Sequence, residues 1–176
     1  EVAHEALSNG ANWINDVTGG RRDEEILDVV SEFKCPFVIT HSRGNSINMN
    51  NLTKYDDFLV DIIHSLESLT KKALNKNVNK DKIIWDPGLG FSKDTKQNIK
   101  IIRNLQFFKN YGFPLLIGAS RKRFIGEILD EPNPKERDIG TLAISCLCSQ
   151  QNIHLVRVHN VKINHQVLKV ADHIFR

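Results

Sequence analysis

The chain has 176 residues, 40% hydrophobic and 26% charged, which excludes a mainly disordered protein and allows one domain, 1–176, or a piece of a larger one. Lys and Arg outnumber Asp and Glu by 24 to 21, a formal net charge of +3. That excess is too small to imply nucleic acid, and no apolar run approaches the ~20 residues of a membrane span.

Residues 2–7 place apolar side chains at helical spacing before Gly10. Residues 13–17 then form a short apolar run of strand type. The alternation continues with a helical pattern at 23–33, a strand at 36–40, a helix at 55–74 and a strand at 83–85. It goes on with a helix at 97–108, a strand at 114–117, a helix at 137–148, a strand at 153–158 and a helix at 161–174. The strand runs are nearly continuous in hydrophobicity, as in parallel strands covered on both faces. The order αβαβαβαβαβα therefore predicts a parallel α/β sheet with right-handed crossovers. An eight-stranded (β/α) barrel uses about 31 residues per unit, so this length makes about five and a half units. A complete five-stranded doubly wound domain fits the length as well. Glu1 running directly into a helical pattern carries the expectation of a chain cut from a longer one.

Cys35, Cys146 and Cys148 form no disulfide framework, which fits a reducing compartment. Cys146-Leu147-Cys148 reads either as a metal clip or as ordinary helix residues, and no second Cys pair supports the clip.

Every strand ends in polar residues: Asn15-Asp16, His41-Ser42-Arg43-Gly44, Asp86-Pro87-Gly88-Leu89-Gly90, Ser120-Arg121-Lys122 and Arg157-Val158-His159. Ligands of parallel α/β folds bind at the carboxyl ends of strands, so five polar ends together mark a site. Asp-Pro-Gly makes a simple turn, but a carboxylate there also accepts two parallel N–H donors, such as a 2-amino-pyrimidinone edge or a guanidinium. Asn15 can bond the same flat heterocycle, while Asp16 reads equally as structural. The Ser120-Arg121-Lys122 turn before a helix favours an anion, and Lys122 can reach a ligand carbonyl while its stem covers a ring. Arg157 and His159 alternate along one strand and, with Arg43, make a candidate phosphate-binding group. Residues 136–141 read as a helix start. Walker, Gly-x-Gly-x-x-Gly and His-Glu-x-x-His motifs are missing from the sequence.

Ile14-Asn15-Asp16-Val17, Asp86 to Phe91, Ile117 to Lys122 and Arg157-Val158-His159 resemble dihydropteroate synthases in order and spacing. The resemblance implies a TIM (β/α)8 barrel of pterin-binding type, of which this chain would supply about five of eight units, strands four to eight. It implies a transferase of folate biosynthesis that joins 7,8-dihydropterin pyrophosphate to p-aminobenzoate, giving 7,8-dihydropteroate and pyrophosphate, with Mg2+ as cofactor and sulfonamides as competitors. Carried over by motif, Asn15, Asp86, Gly118 and Lys122 would hold the pterin, and Arg157 and His159 the pyrophosphate. Phe91 and the Lys122 stem would flank p-aminobenzoate, and Ser120 would face its carboxylate. Lys122, Arg157 and His159 would carry the catalysis.

The His41-Ser42-Arg43-Gly44 variant is similar to the fungal branch, where this module is often fused to other folate-pathway domains. That likeness implies a cytoplasmic or mitochondrial parent, and the family implies a possible homodimer. Asn160 stands where the family more often has Asp. Three early strands, an Asn that binds Mg2+, two mobile loops and an acidic pterin contact would lie before Glu1, so no metal ligand is expected among these residues. Two alternatives stand beside it: a pterin-dependent methyltransferase-like barrel, which would not need Arg157 and His159 for pyrophosphate or the Ser120-Arg121-Lys122 turn, and a pterin-binding module without turnover.

Overall fold

A computed structural model describes residues 1–45 and 47–176. Helix α1 (Val2–Ser8) precedes strand β1 (Ile14–Asp16). Helix α2 (Glu25–Phe33) leads into β2 (Phe37–Thr40), and α3 (Phe58–Asn75) into β3 (Ile83–Asp86). Helices α4 (Thr95–Arg103) and α5 (Leu105–Lys109) lead into β4 (Leu116–Ile117). Helices α6 (Arg123–Leu129) and α7 (Asp138–Gln150) precede β5 (Leu155–Val156), which α8 (Val161–Phe175) follows.

All pairings are parallel, and the spatial order of the strands follows the chain. In the first ladder Ile14 lies opposite Phe37 and Thr40 opposite Asp86. Leu116 lies opposite Leu155 in the second. A parallel bridge between Trp85 and Leu115 joins the two, with the Trp85 N–H donating to the Pro114 carbonyl at 2.8 Å. A flat sheet of five strands would separate the first from the last by about 19 Å, at ~4.8 Å per step. Arg157, just beyond β5, nevertheless hydrogen-bonds Asn15 of β1 at 2.7 Å. The sheet is therefore curled, and these two side chains meet across its hollow.

Alternation along the strands sorts the two faces. Phe37, Ile39, Ile83, Trp85, Leu115 and Ile117 face outward into the main core under the helices. Val38, Ile84 and Leu116, with Leu155 against them, form a small cluster on the inner face. Thr40, Asp86, Gly118 and Arg157 continue those inner rows toward the carboxyl ends. On α3, Ile62, Ile63, Leu66, Leu69, Thr70 and Ala73 are buried at helical spacing against the outer face. Trp85 stacks on Phe113 with ring centroids 4.6 Å apart, and its indole N–H donates to the Thr70 hydroxyl at 2.9 Å.

Two sequence expectations need correction. The helix expected at 97–108 is two helices, α4 and α5. The Asn104 side-chain amide donates to the Lys100 carbonyl at 2.7 Å and takes an acceptor the backbone ladder would use. The first of them begins two residues early, because Asp94 and Gln97 form a reciprocal capping box. Between β4 and β5 the single helix expected at 137–148 is preceded by α6. Asp130 ends it in a left-handed conformation (φ 53°), and Pro132 and Pro134 prevent continuation.

Thr70→Val should leave the buried Trp85 N–H without an acceptor and destabilise the fold by about 1–3 kcal/mol. Urea unfolding measures this. An unchanged midpoint would show that the Trp85 bond contributes nothing.

Candidate active site

Asp86 has a side chain only 1% exposed, so its carboxylate must find donors inside the protein. One oxygen accepts the Gly88 N–H at 2.8 Å, and the other accepts a guanidinium N–H of Arg157 at 3.0 Å. A second N–H of that guanidinium reaches the Asn15 side-chain oxygen at 2.7 Å. The plane of Arg157 thus spans Asn15 and Asp86 and lies against Gly118, where any Cβ would collide with it. Three of the four expected pterin residues surround this guanidinium.

The loop after Asp86 is held from behind. Gly88 adopts φ 72°, and a Cβ there would strike the His41 carbonyl, so only glycine closes this turn. The buried Lys93 ammonium donates to the Gly88 carbonyl at 2.9 Å and the Phe91 carbonyl at 2.9 Å, and lies 2.8 Å from His41 Nδ1. Three N–H groups meet three acceptors. Burial pushes Lys93 well below the ordinary lysine range, against the opposing pull of Asp86. Burial likewise pushes His41 well below the ordinary histidine range, and the Lys93 charge adds to the effect. On the open side of the loop, the Lys122 ammonium sits 4.3 Å from the centre of the Phe91 ring. Burial lowers the Lys122 pKa, and Asp86 partly restores it.

Ser120 and His159 form the other wall. The His159 backbone N–H donates to Ser120 Oγ at 3.2 Å, and His159 Nδ1 lies 2.9 Å from the same oxygen. With its oxygen accepting from the backbone, the hydroxyl proton is free to point at Nδ1. The turn itself is strained, with Arg121 at φ 59°. Its N–H donates to Thr141 Oγ1 at 3.2 Å, its carbonyl accepts from Arg137 at 3.2 Å, and its side chain forks onto Asp138 at 2.8 and 2.9 Å. Asn160 donates to the same carboxylate at 3.3 Å and caps α8 through the Ile163 N–H at 3.4 Å.

The structure brings Asn15, Asp86, Gly118 and Arg157 together, and separately pairs Phe91 with Lys122 and Ser120 with His159. It does not bring Arg43 to Arg157 and His159. Arg43 lies 3.8 Å over the Tyr55 ring, donates to the Lys54 carbonyl at 2.7 Å and faces Asp61 at 3.5 Å. The Ser120 hydroxyl, expected toward an aryl carboxylate, is engaged by His159. Asp16 is structural, accepting from the Thr18 N–H, the Thr18 hydroxyl and the Gly20 N–H at 2.7–2.9 Å. Arg137 and Thr141, read in the sequence as part of a helix start, hold the Arg121 turn, and Lys93 holds the Asp86–Phe91 loop. The one available signal for Lys93 was its place close behind the Gly-rich run. A cavity of about 590 Å3 opens beside Phe91, with Arg21, Arg22 and Arg43 on its walls.

The family model for pterin binding enzymes matches residues 1–159. The dihydropteroate synthase of Synechocystis is 44% identical over the whole chain, which covers 61% of that protein. The folic acid synthesis protein of Pneumocystis carinii is 39% identical, and the chain covers 24% of it. The solved dihydropteroate synthase of Clostridium difficile, determined in the presence of pteroic acid, superimposes with a TM-score of 0.91 at 36% identity. That match covers 99% of this chain and 64% of the other. The curled sheet is thus of the TIM-barrel, pterin-binding type. The chain spans about three-fifths of the single-function relative.

His41 generates a pH prediction. Folded, its ring resists protonation; unfolded, it titrates near 6.5. Between the two values the unfolded chain binds a proton that the folded chain does not, so stability falls as pH drops through 6.5. His41→Asn should lose less stability than the unsubstituted protein between pH 7.5 and 5.0, by urea midpoints. Identical losses would show that His41 is not the titrating group.

Proposed function

The chain belongs to the pterin binding enzyme family, and from that premise we propose that it forms the pterin and leaving-group walls of a dihydropteroate synthase site. The observation that carries this reading is the seat of Arg157. A planar pair of N–H donors already lies across Asn15 and Asp86. The amino and ring N–H of a 2-amino-4-oxo-pterin present the same kind of planar donor set, so a pterin ring takes the place of the guanidinium. Gly118 leaves room for the flat face.

Arg157, once displaced from Asp86, lies two residues before His159 in the chain. Together they offer donors to the pyrophosphate of 7,8-dihydropterin pyrophosphate. The C–O bond from the exocyclic methylene to pyrophosphate breaks and leaves a pterin-stabilised cation. The nitrogen of p-aminobenzoate bonds to that carbon and releases a proton, giving 7,8-dihydropteroate and pyrophosphate. Lys122 and Phe91 would flank the arylamine, and the arginines of the neighbouring cavity supply cations for its carboxylate. Orientation and charge stabilisation do the work, with no covalent nucleophile.

Mg2+ belongs to this proposal only for the whole enzyme. Among the described residues no group of three or more His, Cys, Asp or Glu is placed to hold a metal. The residues present do not fit the ion by themselves, and no step here runs through it. In the same reading these strands are numbers four to eight of the barrel, and 1–176 is a single domain that forms part of that barrel. Fusion to other folate-pathway domains, a homodimer and a cytoplasmic or mitochondrial site belong to it too. No helix among the described residues is long and apolar enough to cross a membrane.

Two calorimetric results test the reading in the full-length gene product. Asp86→Ala should weaken 7,8-dihydropterin binding by roughly 2–4 kcal/mol, because the amidine edge loses its acceptors. Near-normal affinity would contradict the assignment. Arg157→Ala should act with opposite signs on two ligands. The pterin without phosphates should bind as tightly or several-fold tighter, since its competitor is gone, while the pyrophosphate ester should bind more weakly. Weakening of both would show that Arg157 does not occupy the ring site.

A further inference from the structure

Among the described residues, two buried side-chain polar atoms have no hydrogen-bond partner: Thr40 Oγ1 and His41 Nε2. They are neighbours in sequence but lie on opposite faces of the sheet. His41 is on the outer side, where its Nδ1 meets Lys93 and its ring lies 6.1 Å from that of Tyr55. Its spare Nε2 follows from that commitment. Thr40 has no such account. It shares the inner face with Val38, which packs against Ile84 and Leu116. It lies opposite Asp86 in the parallel β2–β3 register, and neighbouring strands lie about 4.8 Å apart, so the two side chains are adjacent on that face. Thr40 is wholly buried. A valine would fill the same space without leaving a hydroxyl unpaired.

The Asp86 carboxylate beside Thr40 is held by the guanidinium of Arg157, whose side chain is 37% exposed. A ring that takes its place on Asp86 is brought beside the Thr40 hydroxyl on the adjacent strand. We propose that Thr40 is a specificity-determining residue of the ring pocket, its hydroxyl bonding a polar ring atom next to the edge held by Asp86. The inference rests on the pterin reading and adds to it a recognition group on β2. A 2-amino-4-oxo ring carries both acceptors and donors around its edge, and a hydroxyl serves either. A ring with an apolar group at that position would leave the hydroxyl unpaired, so the residue selects for polar heterocycles.

Thr40→Val removes the hydroxyl and keeps the shape. In the full-length gene product it should raise the melting temperature, because the orphaned group is gone. It should also weaken 7,8-dihydropterin binding about tenfold by calorimetry. Thr40→Ser should keep the affinity of the unsubstituted protein within about threefold. If Thr40→Val fails to fold, the Thr40→Ser and Thr40→Ala pair isolates the hydroxyl, and the serine form should bind about tenfold tighter. A higher melting temperature with unchanged affinity, or equal affinities of the serine and alanine forms, overturns the inference and leaves the pterin reading intact. No binding of 7,8-dihydropterin by the unsubstituted protein overturns the pterin reading, and the inference with it.

Discussion

A buried carboxylate must be given hydrogen-bond donors, and the architecture around Asp86 follows from that need. One oxygen is satisfied from its own loop by the Gly88 N–H, which demands a turn only glycine can make against the His41 carbonyl. The other oxygen is satisfied from the far strand by Arg157, which also reaches Asn15 and so ties the last strand to the first. The interaction is partly open to solvent on the arginine side, where the side chain is 37% exposed. That exposure is the opening through which the proposed exchange for a ligand of the same donor pattern would occur.

The walls of the pocket are held by buried cations. Lys93 spends its three N–H groups on His41 and on two carbonyls of the Asp86–Phe91 loop. Arg137 is 8% exposed and uses its guanidinium on the carbonyls of Arg121, Glu131 and Pro132. A cation surrounded by carbonyl dipoles organises irregular backbone that has no ladder to pair with. In both cases a buried cation serves as a hub for a turn at the carboxyl end of a strand. Such turns place Phe91, Lys122 and Ser120 at one rim without requiring direct contacts among all of them.

Much of this was legible in the sequence. The strand positions and their polar ends came from continuous apolar runs that stop abruptly, and Asn15, Asp86 and Gly118 do converge. The failures have physical causes. Periodicity predicts one helix over 97–108 because it is blind to one asparagine amide competing for a carbonyl. Arg43 was assigned by charge, but a tyrosine face and a carboxylate on α3, remote in sequence, compete for it. The pairing of Arg157 with Asn15 joins residues 142 positions apart, which no local pattern encodes. Thr40 read as the last residue of an apolar strand, and only its lack of a partner in three dimensions sets it apart.

The central claim is that the Asp86 carboxylate receives the amidine edge of a pterin in place of Arg157. A crystal structure of the full-length gene product with 7,8-dihydropterin tests it most directly. Ring N–H groups should lie within about 2.7–3.2 Å of Asp86 oxygens, with the guanidinium moved off that carboxylate. A ring bound elsewhere, with Arg157 still spanning Asn15 and Asp86, would contradict it.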